Sequence, residues 1–163
     1  MIKEVADNGI FHKLLLSSIS VAKPRLPTRI AIEPYNVCNL RCKMCPYDLM
    51  TRGKQKMGME LFARIVDDAL GAGIKELSLT HYNEPLLDDL LFERVHYAKT
   101  RQMEVHFVSN GMLLNDQKII EVLKAGVDRI LLSFDGATKE TYETIRRGAD
   151  FDVVRGNILR LVQ

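Results

Sequence analysis

The spacing of apolar residues changes period several times along the chain. In residues 8–22, Ile10, Phe11, Leu14, Leu15, Ile19 and Val21 recur at loosely helical intervals. That predicts a short amphipathic helix packed over one end of a sheet. Pro24 and Pro27 then punctuate the chain. Thr28–Glu33 runs apolar through Ile30, Ala31 and Ile32 and predicts a first strand, ended by Pro34. Residues 46–57 are polar, contain glycine and show no period, as an extended loop does. From Met59, the residues Leu61, Phe62, Ile65, Val66, Ala69 and Leu70 follow helical spacing until Gly71 and Gly73 stop it.

The second half repeats the alternation. Glu76–Thr80 predicts a second strand, with His81-Tyr82-Asn83-Glu84-Pro85 as its exit loop. Asp88 is placed to cap a helix reaching about Arg101, with Leu90, Leu91, Val95 and Ala98 on one face. Val105–Ser109 predicts a third strand that turns at Asn110-Gly111. Asn115 is placed to cap the next helix, through Ile119, Ile120 and Leu123, and Gly126 to close it. Arg129–Ser133 predicts a fourth strand, followed by Phe134-Asp135-Gly136, a short helix over Thr138–Arg146 and a last helix from Asp152.

Strands that alternate with helices predict βαβ units, a parallel sheet and right-handed crossovers, hence the α/β class. Two of the strands are nearly continuous apolar runs, which predicts a sheet buried on both faces. There is no internal repeat and no low-complexity segment. The chain divides into an N-terminal helix and linker (1–27) and one core (28–163).

Composition narrows the function classes. A chain of 163 residues, 47% hydrophobic and 27% charged, suits one globular domain with a sizeable core. A net charge of +2 points to neither nucleic acid nor a membrane surface as partner. No run of about 18 apolar residues predicts a membrane span. Glu4 and Asp7 stand where a secretory leader would be basic, so no leader is expected. The three cysteines cannot pair off, and their crowding argues for ligation in a reducing cytoplasm.

Those cysteines, Cys38, Cys42 and Cys45, form a C-x3-C-x2-C stretch directly after the first strand. Thiolates favour zinc, copper(I) or iron–sulfur clusters. A closed structural site takes four protein ligands, so three leave one metal corner open to chemistry. The residues alone leave three readings: a cluster with an open iron, zinc completed by a distant ligand such as His81, or unligated buried thiols. The other polar stretches, Asn83-Glu84-Pro85, Ser109-Asn110-Gly111 and Ser133-Phe134-Asp135-Gly136, also end strands. In parallel α/β sheets that is the rim where sites form.

Taken together, Cys-Asn-Leu-Arg-Cys-Lys-Met-Cys and these rim stretches resemble the radical S-adenosylmethionine (radical SAM) enzymes, from Arg29 onward. The resemblance implies a TIM-like partial barrel of six (β/α) units, of which about four fit in this length. It implies that Cys38, Cys42 and Cys45 hold three irons of a 4Fe–4S cluster, and that S-adenosyl-L-methionine (SAM) chelates the fourth. Glu84 would receive the SAM amino group, with Asn83 standing where the family has glycine. Ser109 and Asn110, at the strand-three turn, would be further SAM contacts, and Ser133 and Asp135, at the strand-four end, would touch its ribose and methionyl parts. Arg146, or its neighbour Arg147, would pair with the SAM carboxylate. Met44 replaces the commoner aromatic along the adenine, and Tyr47 is a candidate substitute. Each residue also has a plainer reading. Glu84 could precede a turn, Asn-Gly and Asp-Gly are ordinary turn dipeptides, and two arginines suit a helix C-terminus.

The implied activity is reductive cleavage of SAM to a 5′-deoxyadenosyl radical that abstracts hydrogen from a small-molecule or peptide substrate. An electron donor such as flavodoxin or ferredoxin is implied with it. The wording is nearest to SPASM-type members, which carry a further cysteine-rich C-terminal domain that these 163 residues lack. The alternatives are a non-catalytic iron–sulfur or zinc-binding module, and a core that works only with a missing C-terminal half. Open sheet edges, strand four above all, are expected to favour self-association.

Overall fold

The computed structural model describes residues 27–163, so the helix expected over residues 8–22 lies outside the described residues. Four strands, β1 (Arg29–Ala31), β2 (Glu76–Ser78), β3 (Glu104–Ser109) and β4 (Arg129–Leu132), form one sheet in the order β1-β2-β3-β4. All three pairings are parallel. Helices α1 (Met59–Gly71), α2 (Leu91–Lys99) and α3 (Asp116–Ala125) link the strands, and α4 (Lys139–Ile145) and α5 (Phe151–Leu161) follow β4. This is the expected α/β architecture, an open sheet of (β/α) units. The strands are shorter than the apolar runs because the ladder continues only one residue further, through Ile32 N–H to Ser78, Leu79 N–H to His106 and Ser133 N–H to Ser109.

Alternation along the strands decides which side is covered. Leu77, Leu79, Val105 and Phe107 are fully buried in one core with Phe62 and Val66 of α1 and Val95 and Ala98 of α2. Each such side chain contributes about 1.5–3 kcal/mol on leaving water. The intervening residues Ser78, Thr80, His106, Val108 and Leu131 face the other way, onto an open cavity of about 410 Å³. The expectation of a sheet buried on both faces is therefore not met among the described residues. Along the strands Leu77 alternates with Ser78 and Phe107 with His106, so one face is apolar throughout and the other is mixed.

Asn115 caps α3 by accepting from Lys118 N–H, and Gly126 closes that helix in the left-handed region at φ 73°. Thr138 and Asp150 cap α4 and α5 in the same way. Asp88 does not cap α2: the helix begins at Leu91 after Leu90. Asp88 instead lies buried, with one carboxylate oxygen 2.8 Å from Arg94 Nε and the other accepting from Leu90 N–H. Residues 46–57 are more ordered than expected. Pro46–Leu49 is a 3-10 turn, and Lys56 bridges antiparallel to Tyr35.

Candidate active site

The cysteine loop is fixed from two sides. Inside it, Cys45 N–H donates to the Cys42 carbonyl at 3.0 Å. Outside it, Arg41 N–H and Lys43 N–H donate to the carbonyls of Arg147 and Ile145, both at 2.9 Å. The loop is thereby strapped to the C-terminal end of α4, with Leu40 buried beneath it. Cys42 is buried, and Cys38 and Cys45 are half-buried. Burial pushes the Cys38 thiol up against the opposing Leu40 amide, which donates to its sulfur at 3.5 Å.

All three thiols line one cavity of about 120 Å³ beyond the C-terminal ends of the strands. Asn83, Glu84, Ser109, Asn110 and Arg146 line it too, so most of the residues read from the sequence meet there. Among the described residues, no three His, Cys, Asp or Glu side chains are gathered closely enough to hold a single metal ion. The thiols stand around the cavity instead. Nitrogen donors already lie on two of the sulfurs: Arg146 Nη1 is 3.6 Å from Cys42 Sγ, and Asn110 Nδ2 is 4.0 Å from Cys38 Sγ. Three soft thiol ligands, two of them with N–H groups on their sulfurs, fit an iron–sulfur cluster.

Glu84 is the second feature of the cavity. It follows β2, is 2% exposed, and begins the Pro85–Leu87 turn. Its Oε1 accepts from Ser109 Oγ at 2.8 Å and from Leu86 N–H at 3.2 Å, while Oε2 accepts from Asn110 N–H at 2.8 Å. Burial raises its pKa, and the Asn110, Ser109 and Leu86 donors pull the other way. No lysine, arginine or histidine pairs with it among the described residues. Ser109 and Asn110 thus orient Glu84. Asn110 also reaches the cysteine loop, donating to Asn39 Oδ1 at 2.8 Å.

Asn83 spends its side chain within its own loop, accepting from His81 N–H at 2.9 Å and donating to the Leu79 carbonyl at 3.3 Å. It does not use the left-handed tolerance of asparagine; among the described residues the one non-glycine at positive φ is Gln102. Arg146, not Arg147, reaches the cavity. Its guanidinium bridges Cys42 and the carboxylate of Asp135, which stays at the cavity margin. Ser133 is half-buried, with its N–H bound to the Ser109 carbonyl, and does not line the cavity. Met44 is 55% exposed and also lies off it. Tyr47 is buried under the Arg41 guanidinium, 4.7 Å from its ring centroid, and lines a different cavity on the outer side of the loop.

His81 also lines the cavity, as its place beside the rim suggested, and sequence reasoning missed Leu40, Thr80, Tyr82 and Val108, which complete the lining. Thr80 was legible as the last residue of a strand pattern. Its hydroxyl ties the strand tops together by accepting from Val108 N–H at 2.8 Å. The buried hydroxyl of Tyr142, a residue of α4, has no hydrogen-bond partner.

Residues 32–163 match the family described as the Radical SAM superfamily. The chain is 30% identical over 120 residues to PqqA peptide cyclase of Granulibacter bethesdensis, covering 73% of this chain and 32% of that protein. It is 30% identical over 138 residues to the probable GTP 3′,8-cyclase of Methanococcus maripaludis, covering 83% and 45%. The chain therefore spans less than half the length of these relatives. Among solved structures, Streptococcus suis SuiB bound to precursor peptide SuiA superposes at TM-score 0.72 and 17% identity, over 93% of this chain and 35% of that one. BtrN in complex with AdoMet and 2-DOIA gives TM-score 0.61 at 21% identity, over 66% and 45%. These two share the fold.

Proposed function

The chain belongs to the radical SAM superfamily, and from that premise we propose that residues 28–163 are the N-terminal part of a (β/α)6 catalytic core, with residues 1–27 a separate leading segment. In this reading Cys38, Cys42 and Cys45 hold a 4Fe–4S cluster, and Glu84 receives the amino group of SAM. When bound, the two cofactors would supply one-electron reductive cleavage of SAM, releasing methionine, and through it hydrogen abstraction from substrate.

The protein holds and orients. Arg146 and Asn110 place N–H donors on the thiols, which tunes a cluster held there. Ser109 and the Asn110 amide aim the Glu84 carboxylate. Asn83 fixes the loop that carries it. Arg146 is shared between Asp135 and Cys42, so it reaches a SAM carboxylate only by exchanging the Asp135 contact. Ser133 and Asp135 lie outside the cavity lining, so each would meet SAM only beyond it. Met44 would have to turn inward to meet the adenine, and Tyr47 serves Arg41 instead.

The observation that carries this reading is Glu84: a buried carboxylate with three donors and, among the described residues, no cation, in the same cavity as three thiols. Burial of a charge is costly unless a counter-charge arrives, and an ammonium group supplies one. The names of the relatives support a peptide or small-molecule substrate, and the reaction requires an electron donor such as flavodoxin or ferredoxin. The open sheet edges support self-association.

Anaerobic reconstitution tests the cluster. We expect about four irons per chain, and none after Cys38→Ala, Cys42→Ala or Cys45→Ala. One zinc per chain held with a histidine would overturn the reading.

A further inference from the structure

We propose that the outer side of the cysteine loop is the docking surface for a small acidic one-electron carrier protein. The inference rests on the reading above, because a reducible centre in the cysteine cavity gives such a partner its task. Residues 41–56 hold Arg41, Lys43, Arg52, Lys54 and Lys56 against one carboxylate, Asp48, on a chain of net charge +2. All five cations are exposed. Arg41 is answered by Asp48 at 2.7 Å, and Arg52 and Lys56 by Glu33 and Asp89. Lys43 and Lys54 have no ion-pair partner among the described residues. Nor has Arg147, which the Arg41 N–H bond to its carbonyl brings alongside. The surface is therefore positive after its internal pairs are counted.

Two large apolar side chains stand among these cations. Leu49 is 81% exposed, the most exposed large hydrophobic of the described residues, and Met44 is 55% exposed. Exposed apolar side chains interspersed along a stretch rich in one sign of charge suit a steered, transient protein interface. A nucleic acid would use the cations and leave Leu49 and Met44 without purpose, so the pattern favours a protein.

The surface is also a fixed platform. Asn36, 7% exposed and two residues before Cys38, accepts from Gln55 N–H at 2.6 Å and donates to the Gly53 carbonyl at 2.8 Å. The Arg41 guanidinium stacks on Tyr47 from the other end. Basic surface and thiols are thus two sides of one loop, and an electron arriving at the first has only that loop to cross. In the transfer the carrier loses one electron and the cysteine-held cluster gains it. No bond forms or breaks, and no proton moves.

The test uses the reconstituted 163-residue chain, reduced flavodoxin as the acidic carrier, and photoreduced deazaflavin as a small uncharged reductant. The rate constant with flavodoxin should fall at least tenfold between low and physiological salt, because exposed charges are screened over a Debye length of about 8 Å there. A Lys43→Glu/Lys54→Glu variant should be at least tenfold slower with flavodoxin at low salt. Its iron content and its reduction by deazaflavin should match the parent. A salt-independent rate, or a variant reduced by flavodoxin at the parental rate, overturns the proposal. Oxidised flavodoxin is also titrated into the iron-free chain, and amide shifts are followed. Shifts over residues 41–56 support the surface even if no iron binds, in which case only the cluster reading has failed. Shifts elsewhere, none at all, or shifts elicited by duplex RNA but not by flavodoxin overturn it.

Discussion

Glu84 sets two requirements against each other. Burial holds its pKa above the ordinary 4.5, and its donors from Asn110, Ser109 and Leu86 oppose that without cancelling it. The sign follows from proton binding. Between 4.5 and its raised folded value, the folded chain binds more protons at this site than the unfolded chain. The site's contribution to stability therefore falls as pH rises through that window. Binding an ammonium group needs the opposite, an ionised carboxylate. We expect SAM affinity to decline as pH is lowered, starting at a higher pH than an ordinary glutamate would give. Glu84→Gln should remove that decline and weaken binding about 10–100-fold at neutral pH, as loss of a charged hydrogen bond of roughly 1.5–3 kcal/mol does. Iron content should not change. Parental SAM affinity in Glu84→Gln, measured by calorimetry, would show that the carboxylate only shapes the turn. The residue was legible from its place in the loop after β2 and from the resemblance carried by Asn83-Glu84-Pro85. The work of Asn83 was not, because a side chain that bonds its own loop leaves no periodic trace.

At the scale of elements, the loop carrying Glu84 is anchored by a pair that the sequence disguised. Asp88 looked like a helix cap, since Asp before an amphipathic run usually is one. In the fold it faces Arg94, six residues on, which is fully buried. The Arg94 guanidinium also donates to the Met57 carbonyl and lies 5.1 Å from the Phe62 ring centroid. One arginine thus ties the exit loop of β2 to α1 and to the segment before it. Removing one partner of a buried pair strands the other, at a cost of about 3–5 kcal/mol. Arg94→Met should lower the stability by about that amount in urea unfolding, and Asp88→Asn/Arg94→Met should recover part of it. A double variant no more stable than the single one would mean that Arg94 acts through packing alone. The cap at Asn115 was legible because its bond is local, to an amide three residues on. Pairs such as Asp88–Arg94 depend on where helices land on the sheet, which spacing along the chain does not encode.

For the whole molecule, the informative feature is the uncovered sheet face. The apolar runs suggested burial on both sides, yet His106 and Ser78 line the same open cavity as Leu131 of β4. Leu131 is 45% exposed, and among the described residues β4 has one unpaired side. β1 shares that condition but is less apolar, with Arg29 and Ala31 exposed. An apolar strand with free N–H and C=O groups is a template for pairing with another chain. We therefore expect the 163-residue chain to self-associate in a concentration-dependent way through β4. Leu131→Lys places a charge on that strand at a position already open to solvent, so it should cost the fold little while opposing edge pairing. Sedimentation velocity of parent and variant decides this. A parent that stays monomeric at high concentration, or a variant that associates as strongly, would place any association elsewhere. The cluster loop lies beyond the opposite end of the ladder from Arg29 and Arg129, so iron binding should be the same in both proteins.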